Sequence, residues 1–184
     1  DALAKLHGEA METARECVQR IDEELRLYGD ADMDALTNGP RIPLGLYNGW
    51  GGVLWGLAAM AEAKVEQAQE AAESLLKLLV RYGDCWHGDP TLAEGLAGLA
   101  LALAALPFDS PERDCCMRLC AERLLAADVP TIPDAPKGAA GIAAALAAAY
   151  RALDDSRCAE KSAALLAQLR RDYREDLRGW PDRS

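Results

Sequence analysis

The sequence predicts an all-α chain: a single domain over residues 1–184 of about seven helices, arranged as repeated helical hairpins of the α/α toroid type and making a partial ring. Three observations carry this. Hydrophobic residues make up 51% of the chain but aromatic ones only 5%, so the core is built of Ala and Leu, the strongest helix formers. A G-x-x-G pattern recurs three times. Between its occurrences lie amphipathic stretches at helical spacing, and no stretch reads as a strand.

The first helix is an apolar stripe of Leu3, Leu6, Ala10, Ala14, Cys17, Ile21, Leu25 and Tyr28. The three glycine repeats lie near residues 48–62 ("NGWGGVLWGLAAMA"), 94–107 ("EGLAGLALALAALP") and 137–150 ("KGAAGIAAALAAAY"). Their first glycines, Gly49, Gly95 and Gly138, stand 46 and 43 residues apart. That period holds two helices and two loops. After the first comes "AKVEQAQEAAESLLKLLVRYG", with Ala68, Ala72, Leu75, Leu76, Leu79 and Tyr82 on one face and Gly83 as C-cap. After the second comes a helix announced by Ser110 as N-cap and Pro111 in the first turn. After the third, Asp154 or Asp155 caps a helix that stops near Gly179.

The glycine-led helices are apolar nearly all round and belong inside; the amphipathic ones belong outside. The segments "TNGPRIPLG" and "TIPDAPKG" are Pro-punctuated loops before inner helices, at one end of the layer. The glycines let crowded backbones approach. They are also expected to leave the first helical N–H groups uncovered, with the positive dipole end facing whatever lies above. No G-K-[ST] follows them, which excludes a P-loop.

A net charge of −10 argues against nucleic-acid and anionic-membrane surfaces. The apolar run Leu96–Phe108 is too short to span a bilayer. Residues 1–16 lack the basic start and continuous apolar stretch of a signal peptide. Six cysteines without C-x-x-C pairs indicate a reduced setting, so the expected location is cytoplasmic. The chain opens on Asp1 rather than Met, as a processed or partial chain does.

The stretch "RIPLGLYNGWGGVLWGLAAMA" closely resembles the first glycine repeat of the cyclase domain in class II lanthionine synthetases. "LAEGLAGLALALAAL" and "PKGAAGIAAALAAAY" are similar to the second and third repeats of the wider lanthionine-synthetase-C-like family, and "REDLRGWPDRS" to the segment that follows. The resemblance covers residues 40–184. It implies a toroid of seven inner and seven outer helices. It also implies an activity in which a zinc-held cysteine thiol of a precursor peptide adds to dehydroalanine or dehydrobutyrine, closing a thioether ring. Zinc suits that chemistry because it stabilises the thiolate, which is the nucleophile.

This sequence departs from the family at the catalytic positions. The zinc ligands, two cysteines and a histidine of later repeats, are absent, so no cofactor is expected in this chain. Lys137 stands where the third repeat carries a histidine, and Thr91 where the second carries an aspartate, with Asp89 two residues earlier. Lys137 and Asp89 are therefore the candidate catalytic residues, against the plainer reading of an exposed lysine and a loop acid. Tyr47, Trp50 and Arg41 are the candidate substrate-binding residues. Trp55 reads as packing. Cys85 and His87 in "GDCWHGD" are the candidate metal ligands, fewer than the three or four a zinc site needs. Cys17, Cys115, Cys116, Cys120 and Cys158 read as small buried hydrophobes.

The expected partners are a precursor peptide and, for the open apolar edges of a partial ring, a C-terminal half of the domain or a second copy. Two functions follow: part of a lanthionine cyclase domain, inactive alone, or a non-catalytic peptide-binding or assembly module of the same fold. A generic tetratricopeptide-like repeat fits neither the 43–46 residue period nor the G-x-x-G starts.

Overall fold

The computed structural model describes residues 2–29, 43–86, 88–176 and 179–180. Seven α-helices run through them: α1 (Ala2–Gly29), α2 (Trp50–Glu62), α3 (Ala68–Arg81), α4 (Leu96–Ala105), α5 (Pro111–Ala126), α6 (Ala139–Leu153) and α7 (Ser156–Asp172), with a 3₁₀ turn at Gly83–Cys85. The described residues contain no strand, only an isolated antiparallel bridge between Arg174 and Gly179. No helix among them is long and apolar enough to cross a membrane.

The helices form two layers. In one, α4 lies between α2 and α6 and packs on both. In the other, α1 packs on α3, α3 on α5 and α5 on α7. The glycine-led helices are thus the inner set and the amphipathic ones the outer set. The middle helix, α4, is almost wholly enclosed, with Leu96, Ala97, Gly98, Leu99, Ala100, Ala102 and Leu103 all buried.

The inner helices begin the same way three times. Gly49, Gly95 and Gly138 are the N-caps, the first and last in extended conformations, and none has a side chain with which to cap. A backbone carbonyl seven residues back does so instead. The N–H of Trp50 donates to Pro43 O at 3.1 Å, that of Leu96 to Asp89 O at 2.8 Å, and that of Ala139 to Ile132 O at 2.9 Å. On α2 the arrangement continues, with Gly51 N–H bonded to Leu44 O at 3.1 Å and Gly52 N–H to Gly45 O at 3.2 Å. The preceding loop curls over the helix end, so the expectation of uncovered N–H groups is corrected for the first N–H of each inner helix and for the first three of α2, which are satisfied internally.

The curl explains the glycines. A Cβ on Gly49, Gly95 or Gly138 would run into the carbonyl of the residue six back: Pro43, Asp89 or Ile132. A Cβ on the second glycine of each G-x-x-G (Gly52, Gly98, Gly141) would meet Leu46, Leu92 or Ala135, again six back. The requirement is close approach, not left-handed backbone; no glycine among the described residues has a positive φ.

The outer helices use side-chain caps. Ser110 Oγ accepts from Arg113 N at 3.1 Å with Pro111 in the first turn of α5, and Asp155 caps α7 by accepting from Arg157 N at 3.0 Å. Asp154 is instead the left-handed C-cap of α6 (φ 54°). Polar side chains then stitch these helices to their neighbours. Arg113 donates to Leu103 O at 3.0 Å and Phe108 O at 3.1 Å, closing the end of α4. Arg123 donates to Gly83 O at 2.8 Å and stacks 5.3 Å above the Trp86 ring, whose Nε1–H bonds Leu79 O at 3.1 Å. Lys161 gives hydrogen bonds to Leu124 O, Leu125 O and Ala127 O at 3.0, 2.9 and 3.0 Å, and buried Ser162 to Ala143 O at 2.8 Å.

Four details differ from the sequence reading. α3 starts at Ala68, because Lys64 and Gln67 adopt left-handed conformations (φ 62° and 63°) that break the helix before it. Tyr82, not Gly83, is its C-cap, and Gly83 opens the 3₁₀ turn. α7 stops at Asp172, and Gly179 pairs with Arg174 instead of ending the helix. On α1 the docked stripe is Met11, Ala14, Val18, Ile21 and Leu25; Cys17 sits one residue, about 100°, off that stripe and is exposed, as is Leu6.

Gly95→Ala is expected to destabilise the fold by about 3 kcal/mol or to prevent folding, because the added methyl displaces the Asp89 carbonyl. Gly56, in mid-α2 with only Met60 Cε at 4.0 Å from an added Cβ, is the control. Gly56→Ala is expected to be neutral or to stabilise by up to about 1 kcal/mol in urea denaturation.

Candidate functional site

The loops that cap α2, α4 and α6 are joined side by side. Leu46 N–H donates to Leu92 O at 3.0 Å, Tyr47 N–H to Ala93 O at 3.1 Å, and Ala93 N–H to Pro136 O at 2.8 Å. Tyr47, Ala93 and Pro136 occupy the same place in the three repeats, so the ladder follows the repeat. It gathers the N-terminal ends of the three inner helices into one rim.

Tyr47 stands on this rim, 65% exposed. Asp89 shapes the middle loop: its Oδ1 accepts from Thr91 N at 2.7 Å and from Thr91 Oγ1 at 2.5 Å. This is an Asx turn, tied onward through Glu94 N–H to Thr91 Oγ1 at 3.4 Å. In the third loop Asp134 Oδ1 accepts from Lys137 N at 2.8 Å. Lys137 Nζ lies 3.6 Å from Glu94 Oε1 across the second and third loops, with the side chains 64% and 49% exposed. The structure therefore brings Lys137 and the Asp89 loop to one rim, and supplies each with a partner of its own.

Trp50 belongs to another surface. It is half-buried and lines a cleft of about 260 Å³ between α1 and the α2–α3 hairpin, with Ile21, Leu25, Val53 and Leu75. Trp55 corrects the packing expectation: it is 45% exposed. It sits six residues after its N-cap glycine, as do half-buried Leu101 and exposed Ala144 on the neighbouring helices. The open face of the inner layer thus carries large, medium and small apolar side chains in turn. Glu94 and this Trp55–Leu101–Ala144 row were missed in the sequence, although counting from the first glycine of each repeat locates the row.

Cys85 is buried beside Trp86. His87 and Arg41 lie outside the described residues. Among the described residues no three His, Cys, Asp or Glu side chains converge to hold a metal ion.

Cys116, Cys120 and Cys158 are fully buried. Burial pushes the Cys116 thiol up to about 12, with Cys115 and Glu112 adding to it. Burial likewise holds Cys120 well above the usual thiol range, and it raises Cys158 with a contribution from Asp155. The thiolate is the form that attacks or binds metal, so these groups act as small hydrophobes. Cys17 is the exposed exception.

A scan against protein-family models gives no match, and no curated protein matches significantly.

Cys17 is expected to react with a thiol reagent at pH 8 in the folded chain while Cys116 and Cys120 react only on unfolding, read by mass spectrometry of labelled peptides. A thiol whose pKa rises on folding stabilises the protein fully below the unfolded value and loses that contribution as pH climbs to the folded one. Thermal stability should therefore carry a Cys116-dependent fall between pH 9 and about 12, which Cys116→Ala removes.

Proposed function

We propose that this chain is part of a lanthionine cyclase-like domain, and that its rim and open inner face receive a precursor peptide. The observation that supports this reading is the threefold recurrence of one device: a G-x-x-G helix start under a loop carbonyl, with the loops laddered together. It falls on the three repeats that resemble the family, in the family's order. Exposed Tyr47 offers a ring, the Lys137–Glu94 pair offers both charges, and the Trp55–Leu101 row offers apolar surface. Such a mixture suits an extended peptide better than a nucleic acid. The proposed location is cytoplasmic.

In the family a metal holds the thiol as thiolate. The described residues offer no three-ligand group that would fit it, and no step assigned to this chain runs through it. Acid–base work by Asp89 or Lys137 would have to displace the contacts they make with Thr91 and Glu94. That observation favours the second reading, a peptide-binding or assembly module without catalysis. The last hairpin exposes Ile132, Tyr150 and Leu166. We propose that a further helical hairpin covers this edge, from a C-terminal half of the domain or from a second copy.

The reading frame beyond Ser184 separates the two readings. Glycine-led hairpins carrying a cysteine and a Cys-His-Gly motif support the cyclase; a stop codon there overturns it in favour of the module. Peptide binding is common to both. A fluorescein-labelled peptide bearing one dehydroalanine and one cysteine is expected to bind saturably by anisotropy, with affinity falling about five-fold in Tyr47→Ala. An anisotropy that does not saturate, or a Tyr47→Ala variant that binds equally well, contradicts the rim as the peptide site.

A further inference from the structure

The outer helices are not held alike. α5 and α7 are stitched to their neighbours by Arg113, Arg123, Lys161 and Ser162. Over residues 4–27, every polar side-chain contact of α1 with a described residue stays within the helix: Lys5 with Glu9, Thr13 with Glu9, and Arg26 with Asp22. Its apolar hold is also small. Over residues 4–27, Val18 and Leu25 are buried, at 1% and 7% exposure, helped by half-buried Met11, Ala14 and Ile21. The 14-residue α3 buries seven side chains.

The seam between α1 and its neighbours is also open. A cleft of about 410 Å³ runs between Asp22 and Arg26 on α1 and Glu70, Ser74 and Lys77 on α3. The cleft of about 260 Å³ beside Trp50 lies on the other side of Leu25, and a third of about 130 Å³ separates Arg15 and Gln19 from Glu66. Along these clefts the side chains face solvent instead of a neighbouring helix, which forfeits contacts that would otherwise hold α1.

We infer that α1 is a reversibly detachable strap: it leaves and rejoins the α3 face as a unit while α2–α7 remain folded. The inference is independent of the peptide and cyclase readings. Release uncovers an apolar groove formed by Trp50, Val53 and Leu75, with Leu78 at its edge. Most of a helix's stability in a protein comes from packing of its apolar face rather than from propensity, so α1 frays once released and its amides exchange. Elements with few buried contacts open at lower free energy than the core they lean on.

Native-state hydrogen exchange of the full chain, followed by mass spectrometry, tests this. After correction for intrinsic rates, amides of residues 11–25 are expected to exchange at least about 30-fold faster than those of α4 and α6. Val18→Ala should speed α1 by about a further five- to ten-fold and leave α4 to α7 unchanged. Equal protection of α1 and α4 overturns the inference. So does a Val18→Ala variant that accelerates all helices together, since α1 would then open only with the whole fold. A Val18→Ala variant with unaltered α1 exchange removes the proposed seam and counts against it equally.

Discussion

The architecture depends on one hydrogen bond, made three times: from the first N–H of an inner helix to a backbone carbonyl seven residues earlier. A helix start leaves four N–H groups without partners, and burying them unpaired is costly. Most helices solve this with a Ser, Thr, Asp or Asn side chain, as α5 and α7 do here. The inner helices solve it with the incoming backbone, which must then lie directly on the helix. Only a residue without a Cβ leaves room, both at the cap and one turn later. The spacing of two glycines three residues apart is the imprint of a loop lying across a helix end.

Several features follow from that contact. A loop pinned over a helix end is held rigid, and its outward N–H and C=O groups are placed to pair with the next loop. The bonds from Tyr47 to Ala93 and from Ala93 to Pro136 are such pairings. Pro136 has no N–H, so it accepts from Ala93 and cannot donate at that rung. Laddered loops draw the three inner helices close enough that Gly98 and Gly141 face the loop of the hairpin before, at Leu46 and Leu92. Alanine-rich helices suit this spacing, and the outer helices cover what remains with leucines and long polar side chains. The candidate rim is therefore a consequence of the capping device, and its chemistry depends on what protrudes from it: Tyr47, Glu94 and Lys137.

Much of this was legible in the residues, for a physical reason. Glycine patterns, alanine runs and caps such as Ser110-Pro111 are local and report local geometry, so the number, kind and order of the helices could be read. The direction of a side chain round a helix was harder. A stripe through Cys17 and one through Val18 differ by a single step in register, and only the position of α3 decides between them. Trp55 reads as core because it is large and apolar, yet the inner layer leaves that face open. The satisfied N–H groups were missed because the partner is a carbonyl, which every residue carries and no sequence pattern marks. Lys137 and Asp89 could be singled out by position, whereas their pairing with Glu94 and Thr91 depends on how the loops fold.

The central claim is most directly tested by the scalar coupling that passes through a hydrogen bond, measured by NMR on the labelled chain. The account predicts couplings from the amide of Trp50 to the carbonyl of Pro43, from Leu96 to Asp89 and from Ala139 to Ile132, together with slow solvent exchange at all three amides. Absent couplings with amides exchanging at the rate of free peptide would mean that the helix ends are open to water. The glycine spacing would then need another explanation.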